Sequence, residues 1–111
     1  MKICITAQGS TLDARAEERF GRAPYFMIID TETGSAEAIE NQFAGATGGV
    51  GPKSAQLLID RKVTALVSGM VGGNAREALK AAGISMFTYR AGGSVKDALE
   101  QFTGSKLERS G

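Results

Sequence analysis

A four-residue turn, Thr31-Glu32-Thr33-Gly34, joins two β-rich runs, Tyr25–Asp30 and Ala36–Asn41. A connection that short makes the pair an antiparallel hairpin. Later in the chain the constraint reverses. The runs Val63–Ser68 and Ile84–Tyr89 are separated from their predecessors by helix-like stretches. Strands joined that way lie parallel, through right-handed crossovers. A chain with both kinds of connection must build a mixed sheet with helices on its faces.

The remaining elements follow from local chemistry. Lys2–Ala7 reads as the first strand, short and apolar, and is ended by Gln8-Gly9-Ser10. Thr11–Ala23 is a polar connection with one helical turn expected around Ala14–Arg19. The charges of Glu37 and Glu40 place the third strand at a sheet edge. A helix is expected over Pro52–Arg61, with Gly51 as its cap and Pro52 at its first position. Its apolar face carries Ala55, Leu58 and Ile59. A second helix, Ala75–Ala82, has Asn74 as cap and Gly83 as its stop. A third opens at Ser94 and Asp97 and runs to about Phe102. Together these predict an α/β, three-layer, ribonuclease H-like fold. Its five-stranded mixed sheet has order 3-2-1-4-5, with only strand two antiparallel. Residues 1–103 form one domain, and 104–111 read as a polar C-terminal tail.

Composition removes whole classes of function. The chain's 111 residues hold one core and no second. Histidine is absent, which excludes Ser-His-Asp and Cys-His catalysis within the isolated chain, along with Cys/His zinc sites. Cys4, alone of its kind, has no internal disulfide partner and reads as a buried small hydrophobe. A net charge of +1 gives no general attraction to nucleic acid or membrane. No apolar stretch is long enough for a transmembrane helix, and the start of the chain shows no signal peptide. The expected compartment is the cytoplasm.

The predicted topology gathers chemistry along one border. Strands one, three, four and five end there, and strand two begins there. Ligands of open α/β sheets bind outside the carboxyl ends of the strands. Three glycine clusters precede helices on that rim: Gly48-Gly49-Val50-Gly51, Gly72-Gly73-Asn74 and Gly92-Gly93-Ser94. Helix starts offer unpaired N–H groups and the positive end of the dipole, and glycine permits close approach. Gly9, Ser10, Arg19, Gly21, Arg22 and Lys53 share the border, and Met70 brings a soft thioether. For each glycine pair, a turn or helix cap is the competing explanation.

Other motifs fail on detail. Gly49-Val50-Gly51 resembles the start of a dinucleotide fingerprint, but Ser54 occupies the third glycine position and Pro52 removes an amide. Gly51-Pro52-Lys53-Ser54 is a Walker A ending interrupted by proline. A two-metal nuclease needs clustered carboxylates, one normally on the first strand, and Lys2–Ala7 has none.

Several segments together resemble the dinitrogenase iron–molybdenum cofactor biosynthesis family. They are Phe20-Gly21-Arg22-Ala23-Pro24-Tyr25-Phe26, the Gly48-Gly49 loop, Gly69-Met70-Val71-Gly72-Gly73-Asn74-Ala75 with Glu77–Ile84, and Gly104-Ser105-Lys106-Leu107-Glu108. The similarity spans nearly the whole chain. It implies a ribonuclease H-like fold and a role in nitrogen fixation. The bound group would be an iron–molybdenum or iron–sulfur cluster precursor, held without covalent bonds. Members of that family act as carriers or stores, not catalysts, and cofactor-assembly proteins are the partners implied. The family commonly has histidine before Phe-Gly-Arg, where this chain has Arg19. Capture here would then rest on charge from Arg19, Arg22 and Lys53 and on backbone amides, with a metal oxyanion or thiometallate as an equally suitable ligand. The alternative is a protein-interaction or regulatory module that uses the same fold without a cofactor.

Overall fold

The computed structural model describes residues 1–42 and 50–110. In chain order the elements are β1 (Lys2–Ala7), β2 (Tyr25–Asp30), β3 (Ala36–Glu40), α1 (Val50–Asp60), β4 (Ala65–Ser68), α2 (Gly73–Ala81), β5 (Ser85–Thr88), α3 (Val95–Thr103) and β6 (Glu108–Arg109). They form one sheet of order β3-β2-β1-β4-β5-β6. β2 is antiparallel to β1 and β3, whereas β4 is parallel to both β1 and β5. The expected order 3-2-1-4-5 is therefore present. The stretch read as a polar tail adds a sixth strand. Glu108 and Arg109 pair antiparallel with Thr88 and Phe87. Two polar residues carry no hydrophobic period, so nothing in the local pattern marks them as a strand.

Alternation along the strands divides the core in two. Cys4, Phe26, Ile28, Leu66 and Met86 point to the face covered by Ala55 and Leu58 of α1 and Ala75 and Leu79 of α2. Ile3, Ile5, Met27, Ile29, Ala65 and Val67 point to the other face, under Val95 and Ala98 of α3. The result is three layers, helices on sheet on helix. Leu58, Leu66 and Leu79 are fully buried; truncating such a residue to alanine costs about 2–5 kcal/mol.

Two helix starts differ from expectation. α1 begins at Val50, so Gly51 lies within it and does not cap it. α2 begins at Gly73 after an extended Gly72 (φ −65°, ψ 158°), and Asn74 lies in its first turn. Residue choice predicted an asparagine cap, yet the extended backbone that a cap position requires falls two residues earlier. α3 follows the prediction: Ser94 Oγ accepts from the Asp97 N–H at 3.1 Å.

Candidate functional site

The strand registers set the rim. Ala7 pairs with Tyr25, Tyr25 with Glu40, and Ser68 with Thr88. Thus β1, β3, β4 and β5 end along the edge where β2 begins, and α1, α2 and α3 start there.

Residues 8–20 form a strap across this edge. The helical turn expected around Ala14–Arg19 is absent; isolated bridges Ala7–Ala16, Arg15–Ser94 and Arg19–Met70 take its place. Backbone groups here pair with the sheet rim, which overrides a helical propensity too short to stand alone. Glu17 N–H donates to the Thr6 carbonyl at 2.9 Å, and Phe20 N–H to the Met70 carbonyl at 2.9 Å. The Glu18 carbonyl accepts from Gly69 N–H at 2.9 Å, Met70 N–H at 2.6 Å and Ser68 Oγ at 3.2 Å. Thr6, fully buried, places its hydroxyl 2.6 Å from the Glu17 carbonyl and 3.0 Å from Ser68 Oγ.

The strap closes one of the glycine-led helix starts. At α3, Val95 N–H donates to Ala14 and Lys96 N–H to Leu12, both on the strap. Gly93 N–H donates to the Tyr89 hydroxyl at 2.9 Å, and Ser94 serves Asp97. The donors an anion would need are already used. Gly93 has a packing role as well, since a Cβ there would collide with Tyr89 and Asp97. The Tyr89 hydroxyl donates a short hydrogen bond to Asp97. Burial first, and this acidic neighbour second, hold the phenol above its ordinary pKa.

The α2 start is different. Among the described residues, no carbonyl or side chain accepts from the N–H groups of Gly73 and Asn74. Gly72, Gly73 and Asn74 are exposed. A Cβ built on Gly72 or Gly73 would meet nothing within 4 Å, and neither has a positive φ. Packing does not require glycine at either position. Met70 stands beside them with 55% of its surface exposed, and Arg19 is its bridge partner. The Arg19 guanidinium is 64% exposed and lies 3.8 Å from Glu17.

The other predicted residues are placed as follows. Gly21 and Arg22 occupy the turn before β2, which Asn41 fixes by donating to the Gly21 and Ala23 carbonyls at 3.3 and 2.8 Å. Arg22 is exposed, as is Lys53 in the early part of α1. Gly9 packs against Ala14, where a Cβ would come within 3.0 Å of its Cβ, and Ser10 is exposed beside it. Gly48 and Gly49 lie outside the described residues. Cys4 is fully buried, and that burial pushes its thiol far above the usual range, so no thiolate is available there. Among the described residues, no three His, Cys, Asp or Glu side chains gather as metal ligands. Arg15, Arg90 and Glu18 also line the rim. Nothing in the sequence marks them as site residues, because single charges far apart in the chain carry no motif.

Comparison with known proteins places the chain in a family. The dinitrogenase iron-molybdenum cofactor family matches residues 1–105. The chain belongs to that family. The apo form of the orange protein from Desulfovibrio gigas superposes with a TM-score of 0.93 at 34% identity, covering 98% of this chain and 92% of that one. A putative NifB protein from Thermotoga, assigned to the DUF35 family, gives a TM-score of 0.87 at 41% identity, covering 97% and 91%. An uncharacterised protein of Methanocaldococcus jannaschii is 32% identical over 98% of this chain and 91% of its own length. In this dinitrogenase iron-molybdenum cofactor family member, the α2 start presents an open pair of donors on the rim, Gly73 N–H and Asn74 N–H, among the described residues. No helix among those residues is long and apolar enough to cross a membrane.

Proposed function

We propose that this protein is a non-catalytic carrier for an anionic metal cluster or metal oxyanion on its way into a cofactor. The ligand docks at the α2 start. The observation that carries this reading is the pair Gly72-Gly73: exposed, unrestrained by packing, and opening a helix whose Gly73 and Asn74 N–H groups donate to no acceptor among the described residues. Such groups favour an anion, through both hydrogen bonds and the helix dipole.

The donor set supports capture of a preformed anion over assembly on protein ligands. Histidine is absent, Cys4 is sealed in the core, and no carboxylate cluster is present among the described residues. Sulfur or oxygen atoms already on the cargo would accept from the Gly73 and Asn74 amides. Arg19 would add charge, and Met70 would shield one side with a polarizable thioether. Arg22 and Lys53 would raise the positive potential of the same edge. The ribonuclease H-like arrangement would supply a rigid border for this contact, with cofactor-assembly proteins in the cytoplasm as donors and acceptors. A structural neighbour known in an apo form, and this chain's own membership of a family named for a cofactor, accord with a carrier.

The test is anaerobic mixing of the protein with thiomolybdate or an iron–sulfur precursor, followed by desalting and by measurement of the visible spectrum and metal content. The carrier reading expects a retained chromophore that weakens in Arg19→Ala and Arg22→Ala. A colourless, metal-free wild type under every condition would favour an interaction module, with the β3 edge as its docking strand.

A further inference from the structure

We propose that the polar cavity between the strap and the β5–α3 loop is a second binding site, one that takes a small monocarboxylate. This inference does not rest on the carrier reading. The cavity, about 140 Å³, is lined by Gln8, Arg15, Glu17, Glu18, Arg90 and Gly92. That volume holds several water molecules or a ligand of a few atoms.

Its walls are fixed by backbone bonds. Gln8 N–H donates to the Arg15 carbonyl at 2.8 Å, and Ala16 N–H to the Gly93 carbonyl at 3.0 Å. Gly92 adopts a positive φ of 77°, and a Cβ there would lie 3.6 Å from Arg15 Nη2. The loop therefore turns directly beneath the Arg15 guanidinium. Among the described residues, that guanidinium has no carboxylate partner. Arg90 does have one: its Nε donates to Glu18 Oε1 at 2.8 Å.

The Glu18 contact identifies the ligand class. Arg90 already holds a carboxylate, and the Glu18 side chain that supplies it is 54% exposed, so this ion pair lies open to exchange with solvent species. An incoming carboxylate would replace it on Arg90 and gain Arg15 as a second forked donor. Glu17 will not move as readily. It is 12% exposed and accepts from the Arg19 N–H at 3.1 Å and from Gln8 at 3.5 Å. Its retained charge opposes a multiply charged oxyanion and leaves a single negative charge as the match for the two arginines.

The site is tested by titrating the full chain with sodium acetate while following the Arg15 and Arg90 Nε–H and Gly92 amide signals by NMR. Sodium chloride at equal ionic strength is the reference, and sodium sulfate is a second probe. The proposal expects saturable shifts with acetate and none that saturate with chloride. Arg15→Gln and Arg90→Gln should lose saturation while the remaining spectrum shows them folded. Glu18→Gln should tighten acetate binding by about threefold, the equivalent of removing an exposed competing ion pair. Gly73→Pro, at the α2 start, should leave acetate binding unchanged. Shifts that follow ionic strength alone, a Glu18→Gln variant that binds no tighter, arginine variants that bind as the wild type, or sulfate preferred over acetate would each overturn it.

Discussion

Glu18 rests on Gly69 so closely that a Cβ at residue 69 would stand 2.6 Å from Glu18 Cγ and 2.9 Å from its carbonyl oxygen. That contact seats the strap on the end of β4. Gly69→Ala should therefore lift the strap or strain the strand, at a cost of about 1–3 kcal/mol. A urea unfolding curve reads this as a lower midpoint. A midpoint equal to that of the wild type would show that the strap yields without resistance.

Gly72 should behave in the opposite way. Its Cβ would enter open space, so Gly72→Ala should stay within about 0.5 kcal/mol of the wild type in stability. Cargo retention should fall, because the added methyl occupies the approach to the amides. Comparing Gly69→Ala and Gly72→Ala in the same two assays separates a glycine needed for packing from one that leaves room for a ligand.

Tyr89 gives a pH signature. Its folded pKa is raised, chiefly by burial and then by Asp97. The proton is thus held more tightly in the folded than in the unfolded chain. The matching stability is fully present below the unfolded value of about 10 and is lost as pH rises through the folded one. The stability difference between wild type and Tyr89→Phe should shrink as pH climbs from about 9 to 11. A difference independent of pH in that range would contradict the assigned environment.

Thr6 anchors the strap from inside the sheet. Thr6→Val keeps the shape but removes the hydroxyl that reaches the Glu17 carbonyl at 2.6 Å. The expected loss is about 1–2 kcal/mol, that of a hydrogen bond whose buried acceptor is left poorer. Hydrogen exchange should quicken at Phe20, Gly69 and Met70, whose N–H groups pair across the strap.

The hairpin and the two crossovers made the sheet order readable, because connection length and apolar runs fix strand direction. β1 and β2 begin and end at the residues expected. Glu108–Arg109 escaped notice because a two-residue edge strand owes its pairing to a neighbour, not to its own pattern. The strap escaped for a related reason. Its bonds run to Thr6, Gly69, Met70 and Gly93, all contacts between residues distant in sequence. That same strap changes the meaning of the glycine clusters. Gly92-Gly93 and Gly72-Gly73 look alike as text, yet one start is plugged by Leu12 and Ala14 and the other is left open by the described residues. Arg19, Met70 and the α2 start were legible as neighbours once the topology was known. Arg15 and Arg90 were not, since Gly92 and the strap bring them to one cavity.

The most direct test of the carrier account removes one amide and little else. Gly73 is the first residue of α2, a position that tolerates proline, and the extended Gly72 has the backbone that a residue before proline requires. Gly73→Pro should fold as stably as the wild type while lacking the N–H proposed to meet the cargo. After anaerobic loading with thiomolybdate and desalting, the account predicts about tenfold weaker metal retention for Gly73→Pro, the worth of one charge-assisted hydrogen bond. Retention equal to the wild type, in a variant shown to be folded, would contradict the α2 start as the cargo site.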